Sequence, residues 1–366
     1  MVVKGKWGSA ACAVALTAVA ALAAGCSSGS TSGSGSITST LAANYGPAET
    51  TTLNVGVVPA MDSAGFFVAQ NEGLFAKEGL TINYSPATSS ETAISQQLAG
   101  KLQISAGNYV SYIEAAAKGD PLEVISEGSV MQQGAQTIFV MPKSHVNSLA
   151  QLKGKLIGVN APNNIDYLLD VSVLKENGIN PEEVRFPNGK DKASAQYADG
   201  GAIPFPFMAS QLADGHLAAA TLPEPFASLA EQNLGAVPLT DLNQGATTDF
   251  PIEGYVVTKA WAAKNPHTLQ RFLAALSAGQ EIADTDRTAV EQAFEDIKGA
   301  QNGQVQAPIA AVMALDTYPI GIDATRLQRV ANVMFQFGLL SSQYKVSNML
   351  LPSSAFNFAP FSASES

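Results

Sequence analysis

Cysteine is nearly absent from this chain: among 366 residues there are two, Cys12 and Cys26. Cys12 lies inside an N-terminal apolar run, and Cys26 follows that run directly. Removal of the run, together with modification of Cys26, would leave the mature chain without a thiol for a disulfide or a cysteine metal site. The cysteine count therefore excludes thiol chemistry from the mature protein.

Basic residues are also few, with 20 Lys and Arg against 31 Asp and Glu and a net charge of −11. An acidic chain with few clusters of Lys and Arg argues against binding to nucleic acid and against adsorption to anionic lipid. A solvated acidic surface explains the excess of acids, so the net charge says little about a small ligand.

Sequence signs of an enzyme are weak. The three histidines are scattered without the spacing of a metal site; they are His145, His216 and His267. Ser172–Lys175 matches the S-x-x-K pattern of serine acyl enzymes, but it lies within a predicted helix and no K-T-G accompanies it. The phosphate-binding pattern G-x-x-x-x-G-K does not occur. We therefore expect no enzyme activity, no cofactor and no metal.

The N-terminus has the pattern of an export signal over residues 1–25. Two lysines precede an apolar run (Ala10 to Ala24) that is too short for a stable membrane-spanning helix. Leu22 to Cys26 resembles a bacterial lipobox, whose cysteine becomes the lipidated first residue, although the leucine is four rather than three positions before the cysteine. An ordinary secretory signal is the alternative. Residues 26–52, rich in Ser and Gly, predict a flexible tether, so we expect a lipid anchor on the outer face of the bacterial cytoplasmic membrane.

The ordered part of the chain is predicted to start with a βαβ unit. It consists of a strand (Leu53 to Val58), a helix (Gly65 to Asn71) and a second strand (Thr81 to Tyr84). Strands and helices keep alternating, which predicts an α/β fold with mostly parallel sheets and helices on both faces. Ligands collect where such strands end, so the loop Pro59 to Phe66 is the first candidate for binding.

A second βα series is predicted after the strand Leu156 to Asn160. Tyr197 to Phe207 is rich in Gly and Pro and is interpreted as a loop that could cover a cleft. Glu253 to Thr258 is predicted to be a strand that returns to the first lobe. The helices that follow are expected to brace the first lobe rather than to bind ligand.

Four segments resemble, in order, signatures of one family: Gln70–Leu80, Leu98–Gly107, Leu149–Lys155 and Leu212–Pro225. The family comprises the nitrate, sulfonate, taurine and thiamine-precursor substrate-binding proteins of ABC importers. The chain departs from the signatures at Gln103, where the family usually has an acid, and at His216–Ala218.

The resemblance implies the two-lobed fold of type II periplasmic binding proteins, with crossovers near Met141 and Ile252. Lobe 1 would comprise 53–141 and 252–352, lobe 2 would comprise 142–251, and 353–366 would be a C-terminal tail. Such a protein binds a small molecule between lobes that close by hinge motion, and it docks as a monomer on a permease with its ATPase. A ligand-sensing or surface-interaction lipoprotein on the same fold is the alternative.

Candidate ligand-binding residues lie where strands meet helix N-termini. In the first lobe they are Asp62, Ser63, Thr88, Ser89, Ser90, Asn108 and Tyr109. Thr88 begins a capping-box pattern with Glu91, so helix capping explains one of the three hydroxyls at 88–90. A turn cap at Asp62 and a structural role for Tyr109 are the corresponding alternatives.

Across the predicted cleft, the second-lobe candidates are Asn160, Asn163, Asn164, Asp166, Thr221 and Glu224. Glu224 could instead satisfy helix N–H groups. Three acids border the cleft and no Arg or Lys clearly does. If those acids face inward, they disfavour a bare inorganic anion and favour an amine-bearing or neutral heteroaromatic solute.

Overall fold

Two β-sheets organise the part of the chain that the computed structural model describes, which is residues 46–197, 201–295, 297 and 305–351. The predicted signal, Cys26, most of the tether and the predicted tail lie outside the described residues. Within the described part, no helix is long and apolar enough to pass through a bilayer.

The first sheet has five strands in the order β2-β1-β3-β9-β4. Its members are β1 (Thr52–Val57), β2 (Thr81–Pro86), β3 (Ile104–Asn108), β4 (Leu122–Val130) and β9 (Pro251–Thr258). β9 runs antiparallel to both neighbours, whereas β2, β1 and β3 are parallel. Because of this direction, the start of β9 lies at the same edge as the ends of the other strands.

The second sheet has four strands in the order β6-β7-β5-β8. They are β5 (Gln136–Val140), β6 (Ile157–Gly158), β7 (Ala219–Pro223) and β8 (Val237–Asp241). β6 and β7 are parallel, and β5 is antiparallel to β7 and β8. Outside these strands, Leu156 and Arg185 form an isolated parallel bridge.

Helices cover the two sheets. The helices of the first lobe are α1 (Ala64–Asn71), α2 (Leu74–Lys77), α3 (Ser90–Leu98), α4 (Tyr109–Ala117), α8 (Lys259–Lys264), α9 (Pro266–Thr285), α10 (Arg287–Glu295), α11 (Ala307–Ala310) and α12 (Ala324–Gln336). The helices of the second lobe are α5 (Ile165–Glu176), α6 (Phe205–Ala213) and α7 (Phe226–Leu234). The predicted two-lobed α/β fold is confirmed.

The first crossover lies earlier than predicted. β5 pairs with strands of the second sheet, so the chain leaves the first lobe at 131–135 rather than near Met141. β5 is an apolar run that the sequence pattern could assign to either sheet, and only the pairing of strands decides between them. The return crossover lies between β8 and β9, close to the predicted position at Ile252.

The described part of the chain begins at residue 46, before the predicted end of the tether at residue 52. The Glu49 carboxylate accepts hydrogen bonds from the N–H groups of His267 and Thr268, 3.1 and 2.9 Å long, at the N-terminus of α9. The carbonyl of Gly46 accepts one from Arg271. Residues 46–51 are therefore held against α9.

The core of the first lobe depends on a close contact between α1 and α9. Gly65 and Gly279 lie at this crossing, and neither position has room for a side chain. Beside it, Phe75 stacks on Phe272 with ring centroids 5.2 Å apart, and Phe67 packs edge-on against Phe294 of α10. The helices that follow β9 thus bury the apolar face of the βα unit at the start of the fold.

We predict that Gly279→Ala lowers the free energy of unfolding by about 1–3 kcal/mol, a typical cost of overpacking. The new methyl group would overlap the Gly65 carbonyl oxygen and lie 2.6 Å from the Cβ of Ala69. A Gly→Ala change at an uncrowded helix position stabilises the protein by about 1 kcal/mol, so the sign of the change in unfolding free energy distinguishes a crowded position from an open one. Urea denaturation measures it, with Ser277→Ala as the control; a stabilised Gly279→Ala variant would contradict the close contact.

Candidate functional site

The two lobes touch where their strand ends face each other. The N–H of Met61 donates to the carbonyl of Glu224 over 2.8 Å, and the Asn160 side-chain amide donates to the carbonyl of Thr88 over 3.0 Å. Each bond joins a first-lobe loop to a second-lobe loop. The lobes are therefore closed on each other, and the polar residues between these contacts form the candidate site.

Three carboxyl groups meet on the first-lobe side of the site: Asp62, Glu253 and Asp316. Asp62 follows β1 in a short 3-10 turn, Glu253 begins β9, and Asp316 comes from the segment between α11 and α12. The Ser63 hydroxyl donates to Glu253 over 2.5 Å, and the backbone N–H of Gln132 donates to Asp316 over 3.3 Å. None of the three acids pairs with a Lys, Arg or His that the structure describes.

Burial dominates the electrostatics of this acidic cluster (Asp62, Glu253 and Asp316). It raises the pKa of Asp62 to about 6, although a hydrogen bond with Asp316 opposes the change. Burial, reinforced by the charge of Asp62, raises the pKa of Glu253 and of Asp316 well above the ordinary value. Each ionised member makes ionisation of the others harder, so the cluster retains protons at neutral pH.

Two more acids lie on the second-lobe side, one turn apart on α5. Asp166 accepts a hydrogen bond from the N–H of Asn160 over 2.8 Å, and Asp170 accepts one from the Thr221 hydroxyl over 2.7 Å. Both side chains are fully buried, and the second oxygen of each has no hydrogen-bond partner. Burial, with the charge of Asp62 adding to it, raises the pKa of Asp166 to about 7.

Several of the predicted residues cap helices. Ser89, Asn108 and Asn164 are the N-caps of α3, α4 and α5, and each side-chain oxygen accepts a backbone N–H. The capping box predicted to start at Thr88 is wrong by one residue, because Ser89 has the extended backbone and bonds to the N–H of Thr92. The Thr88 hydroxyl bonds to the hydroxyl of Thr92 instead.

The remaining predicted residues divide by exposure. Ser90 is buried and accepts hydrogen bonds from the backbone and side-chain amides of Asn108, 2.9 and 2.8 Å long. Tyr109 is buried with its ring against Gly254, where no side chain would fit. Asn163 is exposed, with a positive φ of 58° that asparagine tolerates.

Glu224 is buried, and both of its carboxylate oxygens are occupied. They accept hydrogen bonds from the N–H and hydroxyl of Ser228, and one of them also accepts the N–H of Ala314, 3.2 Å away. Ala314 belongs to the same first-lobe segment as Asp316. Glu224 therefore caps α7 and holds that segment against the second lobe.

Sequence reasoning missed Glu253, Asp316, Asp170 and Gln136 as site residues. The sequence predicts only that Glu253 belongs to a strand that returns to the first lobe, and the antiparallel direction of that strand brings Glu253 beside Asn108 at the edge. Asp316 lies in a region expected only to brace the first lobe, and no local pattern marks it. Gln136 is buried at the cleft end of β5, and its carbonyl oxygen has no partner.

Ser172 and Lys175, the two ends of the S-x-x-K pattern, make separate contacts. The Ser172 hydroxyl bonds to Glu176, whereas the Lys175 ammonium lies over the Phe337 ring, 5.0 Å from its centroid. Among the described residues, no three His, Cys, Asp or Glu side chains are placed to hold a metal ion.

Comparison with known proteins gives consistent results. A family model described as NMT1/THI5 like matches residues 60–287. A Haemophilus influenzae protein named for thiamine biosynthesis is 26% identical over 298 residues, covering 76% of this chain and 84% of that protein.

The alkanesulfonate-binding protein SsuA of Xanthomonas axonopodis pv. citri, solved with MOPS bound, has a TM-score of 0.67 at 16% identity over 83% of this chain and 99% of its own. The nitrate-binding protein NrtA of Synechocystis PCC 6803 also has a TM-score of 0.67, at 13% identity over 83% of this chain and 87% of its own. The fold is that of type II periplasmic binding proteins, as predicted.

We predict that the ligand-free protein loses stability as pH rises from 5 to 7.5, by about 1 kcal/mol or more. In this window the raised pKa values of Asp62 and Asp166 let the native state keep protons that the unfolded chain releases. Urea denaturation at several pH values measures the slope. Asp166→Asn should make the slope shallower, and Asp214→Asn, at an exposed position, should leave it unchanged. An unchanged slope in Asp166→Asn would contradict the assignment.

Proposed function

The chain belongs to the NMT1/THI5-like family, and from that premise we propose that it is an extracytoplasmic solute-binding lipoprotein. It captures a small organic molecule between its two lobes and delivers that molecule to an ABC permease and its ATPase. The candidate solutes are a sulfonate or a nitrogenous compound of the amine or pyrimidine type. The protein acts as a monomer and catalyses no reaction.

One observation carries the proposal: where the lobes are in contact, Asp166 of the second lobe keeps a buried oxygen without a partner and lies close enough to Asp62 of the first lobe to interact with its charge. Unpaired oxygens of Asp166, Asp170 and Gln136 would each incur a desolvation cost in a finished core. A bound solute would satisfy such atoms, and its contacts with both lobes would favour closure. The candidate residues Asn160 and Thr88 join the lobes and support the same reading.

The export signal and lipobox pattern support the proposed location. Lipidation at Cys26 would attach the protein to the outer face of the cytoplasmic membrane, and the Ser/Gly-rich tether would let the lobes reach the permease.

We predict that the purified protein releases a small organic molecule on denaturation, identifiable by mass spectrometry. Returned at 100 times its Kd, that molecule should increase the free energy of unfolding by about 2.7 kcal/mol. Thermal denaturation with and without the compound measures the gain, and a compound lost in the first wash serves as the control. A protein that releases nothing, and that no candidate solute stabilises, would contradict the proposed function.

We also predict that Cys26→Ala moves the protein from the membrane fraction to the soluble extracytoplasmic fraction. The physical reason is that the acyl chains attached to this cysteine would supply the hydrophobic anchor. Ser27→Ala is the matched control and should leave the protein on the membrane. Equal membrane association of wild type and Cys26→Ala would remove the lipoprotein assignment but not the solute-binding one.

A further inference from the structure

The acidic cluster of Asp62, Glu253 and Asp316 has no cationic partner among the described residues, although burial makes ionised carboxylates costly. If these three positions served only to stabilise the fold, neutral or apolar side chains would serve better, because an unpaired buried charge destabilises a protein. The cluster can therefore be stabilised by bound protons or by a positive charge that the described side chains do not supply.

Buried oxygens without hydrogen-bond partners in the second lobe also favour a ligand that carries hydrogen-bond donors. Asp166 is fully buried, and it is near enough to Asp62 for the charge of one to raise the pKa of the other. The free oxygens of Gln136 and of ionised Asp166 are both acceptors. A ligand that bonds to these oxygens and to the acidic cluster must therefore present hydrogen-bond donors to both lobes.

We propose that the solute carries its positive charge on nitrogen, as an ammonium or amidinium group, and that Asp62, Glu253 and Asp316 on one lobe and Asp166 on the other hold this group. This inference rests on the proposed solute-binding function and narrows its ligand to an organic cation. Glu253 and Asp316 are then the specificity-determining residues, because a bound cation stabilises their ionised carboxylates, whereas a sulfonate or nitrate would oppose that ionisation.

Binding of the cation is an exchange for protons. The empty cluster retains protons, and a cation stabilises the ionised carboxylates, so about one proton leaves for each solute bound. No bond to carbon forms or breaks, and solvent or buffer takes the released proton. Affinity for the cation should therefore rise between pH 5 and pH 8, whereas affinity for a sulfonate should stay level or fall.

The tyrosines that face the cluster do not change charge in this range. They are Tyr109 and Tyr112 of α4, Tyr255 of β9 and Tyr318 before α12, and burial raises the pKa of each well above its ordinary value. Three carboxyls outside the cluster also have raised pKa values: Asp166 of α5, Glu91 of α3, whose charge acts on Asp166, and Glu127 of β4, whose charge acts on Tyr109. Each would release its proton in the same direction as the cluster.

The test is competition for the full-length, detergent-solubilised protein by an equimolar mixture of aliphatic amines, amidines, uncharged pyrimidines and alkanesulfonates. After washing and denaturation, mass spectrometry identifies the retained compounds. Titration of the best-retained compound into the protein at pH 7 in dilute phosphate, followed with a pH electrode, then counts the protons released.

Asp316→Asn and Glu253→Gln keep the shape of the cluster while removing its charge. Each should weaken binding of the retained cation at least tenfold and reduce the proton release, whereas Asp214→Asn should do neither. Melting temperatures of the ligand-free variants show that they are folded, and the use of two variants guards against one failing to fold.

Retention of an amine or amidine with proton release and weakened variants supports the inference. Retention of a sulfonate or an uncharged pyrimidine, bound equally well by both variants, overturns it and leaves the solute-binding function standing. Retention of no compound from any class overturns the solute-binding function and this inference together.

Discussion

Burial of carboxyl groups without matching cations is the constraint on which this structure depends. Water stabilises an ionised carboxylate, and the protein interior replaces water poorly unless hydrogen bonds or opposite charge compensate. Here the compensation is incomplete: Asp166 and Asp170 each keep one unpartnered oxygen, and Asp62 and Asp316 share a site with Glu253. The carboxyl groups of the closed cleft therefore favour bound protons or cations over anions.

The fold creates this arrangement through chain direction rather than through a local motif. Parallel strands bring loops such as 59–66 to one edge, as they do in any α/β sheet. The antiparallel β9 adds the start of a strand to that edge, which places Glu253 beside Asn108. The segment before α12 then passes between the lobes, where Ala314 contacts Glu224 and Asp316 joins the cluster.

The fold by itself does not fix the charge of the solute. The solved relatives named for alkanesulfonate and nitrate share the two-lobed architecture at 16% and 13% identity, which establishes the fold alone. Helix N-termini at the cleft suit anions in principle, and here Ser89, Asn108 and Asn164 each occupy one of the N–H groups at such an end.

The sequence by itself determined the α/β class, the order of most strands and helices, the family and the candidate loops at Asp62 and Asp166. These follow from local periodicity, capping residues and short signatures, which act over a few residues. Tertiary structure alone decided that β5 belongs to the second sheet and that Glu253 and Asp316 meet Asp62. Strand pairing and contacts between residues some 190 to 250 positions apart leave no local pattern, because they are fixed only when the whole core packs.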